Sequence, residues 1–98
     1  MTVEMKKEGS TLTIALGGRL DTVTSPELEK TLADALEGVS KLVFDFTDLE
    51  YVSSAGLRVL LSAQKKMSVQ GKMVVKNVCD TIAAIFEVTG FSDILTIE

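Results

Sequence analysis

Ser53 and Ser54 stand side by side in YVSSAGLRVLL, the stretch from Tyr51 to Leu61, and Ala55 and Gly56 follow them directly. Two hydroxyls before a run with helical periodicity can do three kinds of chemistry. One can cap the helix by accepting a hydrogen bond from a free backbone N–H, a role worth about 1 kcal/mol. One can act as a nucleophile if a base activates it. One can carry a phosphoryl group, because a helix N-terminus presents unpaired N–H groups and the positive end of the dipole. Serine caps are common, so capping is the commoner role, and it does not exclude the other two. Gly56 in the first turn costs up to about 1 kcal/mol relative to alanine. Something other than helix stability therefore selects it, such as close backbone packing or open access to Ser54.

The rest of the composition narrows these choices. The 98 residues include no histidine and one cysteine. No Ser-His-Asp or Cys-His arrangement can form within the chain. A zinc site built on His or on a thiolate cluster is equally excluded. The nucleophile elbow G-x-S-x-G has Val52 where its first glycine belongs. Neither a P-loop nor a G-x-G-x-x-G is present. A serine nucleophile therefore lacks its base, and the chain is expected not to be an enzyme and to need no cofactor or metal. Cys79 cannot form an internal disulfide. It lies near a predicted helix start, where a thiol's pKa can fall, but a small, half-buried core thiol is the commoner fate.

Net charge is −4, and the cations are scattered, with pairs only at Lys6-Lys7 and Lys65-Lys66. Nucleic-acid binding asks for a concentrated basic face, so none is expected. A membrane span needs about 20 apolar residues, and the apolar runs are only a few residues long. MTVEMKKEGS contains no apolar h-region, which makes a cytoplasmic location the default expectation.

The elements that position the serines follow from periodicity. Val3 and Met5, then Leu12, Ile14 and Leu16, alternate with polar or small residues, which predicts two strands joined through the turn Lys7–Ser10. Gly17 and Gly18 are expected to end the second strand. Thr24 or Ser25 is the candidate cap of a helix with Pro26 in its first turn and a stripe of Leu28, Leu32, Ala35 and Leu36, stopped by Gly38. KLVFDF, Lys41–Phe46, reads as a central strand covered on both faces, followed by a loop through Ser53. Leu57, Leu60, Leu61, Gln64 and Met67 mark a second helix. MVVKNV reads as a further strand. Ile82, Ile85 and Phe86 mark a third helix ending at Gly90, and SDILTIE reads as a last short strand.

The order β-β-α-β-α-β-α-β predicts one α/β domain over residues 1–98, with a mixed sheet that is mostly parallel. In such sheets sites gather where strands end and helices begin. The links Thr47–Ser53 and Gly18–Ser25 are two such places and are expected to lie side by side.

FDFTDLEYVSSAGLRVLL, with GGRLDTVTS upstream and VTGF near the end, resembles an anti-sigma factor antagonist of the STAS class, and the pattern covers nearly the whole chain in order. The resemblance implies a STAS domain with helices packed mainly on one face of the sheet. It implies a non-enzymatic switch. The unphosphorylated form binds an anti-sigma factor that is also a serine kinase, and sigma factor is released. Phosphorylation then ends the binding, and a PP2C-like serine phosphatase restores it. The serine preceding small-Gly-Leu is Ser54, with Ser53 as runner-up, since Ser53 stands where many relatives carry Asp. Asp21 matches the acidic residue of the family's L-D element, Thr22 lies beside it, and the partner-binding set becomes Asp21, Thr22, Ser53, Ser54, Ala55, Gly56, Leu57 and Arg58. Asp21 and Asp48, if near Ser54, would add repulsion to a phosphorylated interface. The free chain is expected to be a monomer without nucleic-acid or membrane partners. The rival expectation keeps the fold and makes it a scaffold subunit of a signalling or lipid-transport complex.

Overall fold

The computed structural model describes residues 1–98. Strands β1 (Thr2–Glu8) and β2 (Thr11–Leu20) form an antiparallel hairpin across Gly9. Helix α1 (Ser25–Ala35), strand β3 (Lys41–Val52), helix α2 (Ser54–Gln70), strand β4 (Lys72–Lys76) and helix α3 (Asp80–Thr89) follow. The sheet order is β1-β2-β3-β4, and both β2–β3 and β3–β4 pair in parallel. Parallel neighbours require crossover connections, and α1 and α2 supply them.

Side-chain alternation decides which face is buried. Leu12, Leu42 and Met73 line up across β2, β3 and β4, as do Ile14, Phe44 and Val75. All six are nearly inaccessible and belong to one core that also takes Leu28 and Leu32 from α1, Leu36 at its C-cap, Leu57, Leu60 and Met67 from α2, and Ile82 and Phe86 from α3. The helices therefore pack mainly on one face. Phe46 joins Phe44 to Phe86 at ring separations of 5.9 and 6.5 Å. Each such buried side chain contributes about 1.5–3 kcal/mol relative to exposure. Val43 and Val74, one residue out of phase, are buried on the opposite side of the sheet, outside that core.

Several local expectations change. Gly17 and Gly18 do not end β2. The strand runs on to Leu20, and its ladder to β1 and β3 includes Gly17, where a Cβ would come 2.5 Å from the Thr2 Oγ1 and so require that side chain to turn away. The expected loop Thr47–Val52 is instead the second half of β3. Opposite it, β3 uses one residue more than β2 between Asp45 and Asp48, and again between Leu49 and Tyr51. These two bulges break the period-two pattern, so TDLEYV does not read as a strand in the sequence. The last strand is reduced to a single parallel bridge, Ile97 with Val75, after a 3-10 turn at Phe91–Asp93. Cys79 is exposed, not half-buried in the core, because it is the N-cap of α3 and stands outside the helix barrel. On α2, Val59 and Ala63 are buried while Leu61 and Gln64 are half-buried. A helix that meets both the sheet and α1 buries a wider face than one stripe.

The far end of the parallel strands is locked by polar groups. Asp45 Oδ1 accepts hydrogen bonds from Asn77 Nδ2 at 3.0 Å and from the Thr47 hydroxyl and N–H. The Asn77 amide, followed by the Thr47 groups, holds the Asp45 carboxyl below its ordinary pKa. Asn77 itself adopts φ +60°, a left-handed conformation that Asn tolerates better than most residues.

Candidate functional site

The expected site lies where β3 passes into α2. Ser53 is extended, at φ −88° and ψ 176°, and its hydroxyl accepts from the Gly56 N–H at 3.4 Å, so it is the helix cap. Its own N–H donates to the Leu20 carbonyl at 2.9 Å, which ties the helix start to the end of β2. Ser54 is the first helical residue. It is exposed, and its hydroxyl has no intramolecular partner. The two neighbouring hydroxyls are thus divided: one is used by the backbone and one is offered to solvent.

Gly56 explains why the helix start can sit there. A Cβ at this position would lie 2.8 Å from both the Leu20 Cγ and the Leu20 carbonyl oxygen, and 3.0 Å from Val52 Cγ1. The glycine serves close packing of the first turn on β2. It does not leave open space beside Ser54, contrary to one of the two readings of the sequence. Leu57 is 6% exposed and points into the core. Gly56 and Leu57 therefore support the site from below, whereas Ser54 and Arg58 are exposed and Ser53 and Ala55 half-exposed.

The connection from β2 to α1 lies alongside, as expected. Asp21 organises it. Its Oδ1 accepts from the N–H groups of Val23 at 3.0 Å and Thr24 at 3.1 Å, and from the Thr24 hydroxyl at 3.2 Å. The single Thr24 O–H proton is shared between Asp21 Oδ1 and the nearer Arg19 carbonyl at 2.7 Å, and the hydroxyl oxygen accepts from the Asp21 N–H. Thr24 is consequently the backbone N-cap of α1 without a side-chain cap bond, its hydroxyl being occupied. The Thr24 N–H, ahead of the Val23 N–H, the Thr24 hydroxyl and Arg19, lowers the Asp21 pKa against a smaller opposing effect of desolvation. Arg19 Nε stands 3.8 Å from Asp21 Oδ2, and its guanidinium lies 4.4 Å from the centre of the Tyr51 ring.

This tight loop holds Thr22 exposed and leaves Val23 85% exposed. The expected residue set omits Val23. Its only signal in the sequence is an apolar residue inside the polar run DTVTS. Asp48 is elsewhere. It lies on β3 opposite Gly17 of β2, four residues before Val52, which at about 3.3 Å per residue places it over 10 Å along the strand from the helix start.

Between the starts of α1 and α2 runs a cleft of about 400 Å³ lined by Thr22, Ser25, Glu29, Ala55, Arg58 and Ser62 among others. Ser25 is buried, and its hydroxyl has no hydrogen-bond partner. No group of three or more His, Cys, Asp or Glu side chains is placed to hold a metal ion. No helix is long and apolar enough to cross a membrane.

Comparison with known proteins agrees with this geometry. The STAS domain family model matches residues 2–98. The anti-sigma-B factor antagonist of Listeria monocytogenes is 30% identical over 102 residues, covering 100% of this chain and 89% of the relative. Among solved structures, an anti-sigma factor antagonist from Mycobacterium paratuberculosis superposes with a TM-score of 0.87 at 22% identity, covering 98% of this chain and 83% of that one. SpoIIAA matches in its unphosphorylated form at a TM-score of 0.77 and in its phosphorylated form at 0.76, both at 19% identity. Those two matches cover 99% of this chain, and 87% and 91% of the SpoIIAA chains.

Proposed function

Since this chain belongs to the STAS domain family, with anti-sigma factor antagonists among its relatives, we propose that it is a protein-binding switch set by phosphorylation of Ser54. In the unmodified state the surface around Ser54, Ala55, Arg58, Thr22 and Val23 binds an anti-sigma factor that is also a serine kinase, and sigma factor is released. The kinase then transfers a phosphoryl group. The Ser54 oxygen forms a bond to the γ-phosphorus of ATP, the bond from that phosphorus to the β–γ bridging oxygen breaks, ADP leaves, and the hydroxyl proton passes to a base of the kinase. A PP2C-like phosphatase hydrolyses the ester and restores the binding form. In this reading the chain is not itself an enzyme, and it acts as a monomer in the cytoplasm.

The observation that carries the choice of serine is the division of the two hydroxyls. Ser53 is occupied as a cap and Ser54 is exposed and unpaired. Phosphorylation adds about −1.5 to −2 charges, and the first turn of α2 contains no acidic side chain to oppose them. The free chain can accept that group without unfolding. Inside a docked interface the same group meets desolvation and steric conflict, and a loss of 1.4 kcal/mol already weakens affinity tenfold. Asp48 contributes little to this repulsion, because its distance exceeds the Debye length of about 8 Å at physiological salt.

Incubation with the cognate kinase and ATP, followed by mass spectrometry, tests the assignment. Modification is expected on Ser54 and should vanish in Ser54→Ala. Equal modification of that variant at Ser53 would transfer the role to Ser53. Ser54→Asp should weaken binding to the kinase and leave the circular dichroism spectrum native.

A further inference from the structure

Arg58 is a cation with no assigned work in the folded chain. The two ion pairs are Lys6 with Glu8 and Arg19 with Asp21, and Arg58 is in neither. It is exposed on α2 four residues after Ser54. On a helix, residues at i and i+4 lie on one face with Cβ atoms about 5–6 Å apart. Glu29 of α1 lines the same cleft as Arg58 and does not reach ion-pair distance. An exposed hydroxyl and an unpaired guanidinium thus share one helix face, one turn apart.

We propose that Arg58 is the intramolecular partner of the phosphoryl group on Ser54. The proposal rests on the phosphorylation reading above and adds a residue to it. A guanidinium presents planar paired N–H donors that match two phosphate oxygens, which an ammonium cannot reproduce. Arg58 then has two states. Unpaired, it is free to meet a partner. Paired with phosphoserine, it is withdrawn, so one modification both adds negative charge and removes a positive one from the same surface. The charged groups near this helix start from neighbouring elements are Asp21 in the β2–α1 connection and Glu29 on α1, both negative, while Arg19 is engaged by Asp21 and Tyr51. These carboxylates raise the second ionisation of a nearby phosphate, and Arg58 opposes them.

The test installs phosphoserine at position 54 during translation, so no kinase is needed, and titrates it by phosphorus NMR in the full chain. Against Arg58→Gln, the second ionisation in the parent chain is expected at lower pH by about 0.2–0.4 unit. Arg58→Lys should fall between the two, and the Arg58 Nε–H resonance of the parent should move along the same titration curve. Coincident curves for the parent and Arg58→Gln, or an Nε–H resonance that ignores the titration, would overturn the pairing. A kinase that leaves Ser54 unmodified would overturn the phosphorylation reading and would not alter this measurement.

Discussion

Helices α2 and α3 both follow parallel strands, yet their first turns are built in opposite ways. At the third helical position α2 has Gly56, packed on the Leu20 backbone, and α3 has Ile82, fully buried in the core. At the cap, Ser53 makes a side-chain bond and Cys79 makes none. In the first turn α3 carries Asp80, whereas α2 has no acid. The start of α3 is anchored by apolar burial and its dipole is already opposed by a carboxylate. The start of α2 is anchored by the absence of a side chain and by backbone bonds to β2, and its positive end is open. A segment held from below in this way can present a hydroxyl and accept charge while the fold stays intact.

Substitutions at the third position should separate the two anchors most strongly. Ile82→Ala removes a fully buried side chain and is expected to cost about 2–5 kcal/mol, read by urea unfolding. Gly56→Ala should cost about 1–3 kcal/mol through overpacking, although alanine favours a helix by up to about 1 kcal/mol. A neutral or stabilising Gly56→Ala would mean that the approach to Leu20 is not what holds α2. The caps come next. Ser53→Ala should cost about 0.5–1 kcal/mol, near the low end for a cap because its bond is long, and Cys79→Ala should change stability by less than about 0.5 kcal/mol.

First-turn charge gives a smaller effect with opposite signs at the two helices. Ser54→Asp should raise the melting temperature slightly and Asp80→Asn should lower it, each corresponding to about 0.3–1 kcal/mol at low ionic strength and shrinking in salt. Asp21 gives the smallest and most local effect. Its folded pKa is depressed, so its contribution is complete above the unfolded value of about 3.9 and disappears as pH falls through the folded pKa. Acid titration of Asp21→Asn should therefore show a shallower loss of stability below about pH 4, with amide exchange at Val23 and Thr24 already faster at neutral pH. Unchanged exchange there would detach Asp21 from the loop that presents Val23.

Much of this architecture is legible in residue order. The alternation of Leu12, Ile14 and Leu16 and the helical spacing of Leu28, Leu32 and Leu36 each report burial through a fixed local period. The pair Ser53-Ser54 before Ala-Gly-Leu marks a helix start. The lack of histidine excludes the usual activated serine, whatever the fold. Local period fails where the chain departs from it. The two bulges in β3 hide six residues of strand, and the last segment looks like a strand because Ile94, Leu95 and Ile97 are apolar, although it forms only one bridge.

What only the tertiary structure decides is the division of labour among residues that look alike in sequence. Two adjacent serines become a cap and an exposed hydroxyl because the backbone N–H of Ser53 is fixed on Leu20 of another strand. Gly56 is selected by a contact with Leu20, thirty-six positions away in the chain. Asp21, which resembles a charge meant for a partner, spends one oxygen on its own loop. Sequence period records which face of an element is apolar. Which polar group is already satisfied depends on partners brought from distant parts of the chain, and only packing brings them.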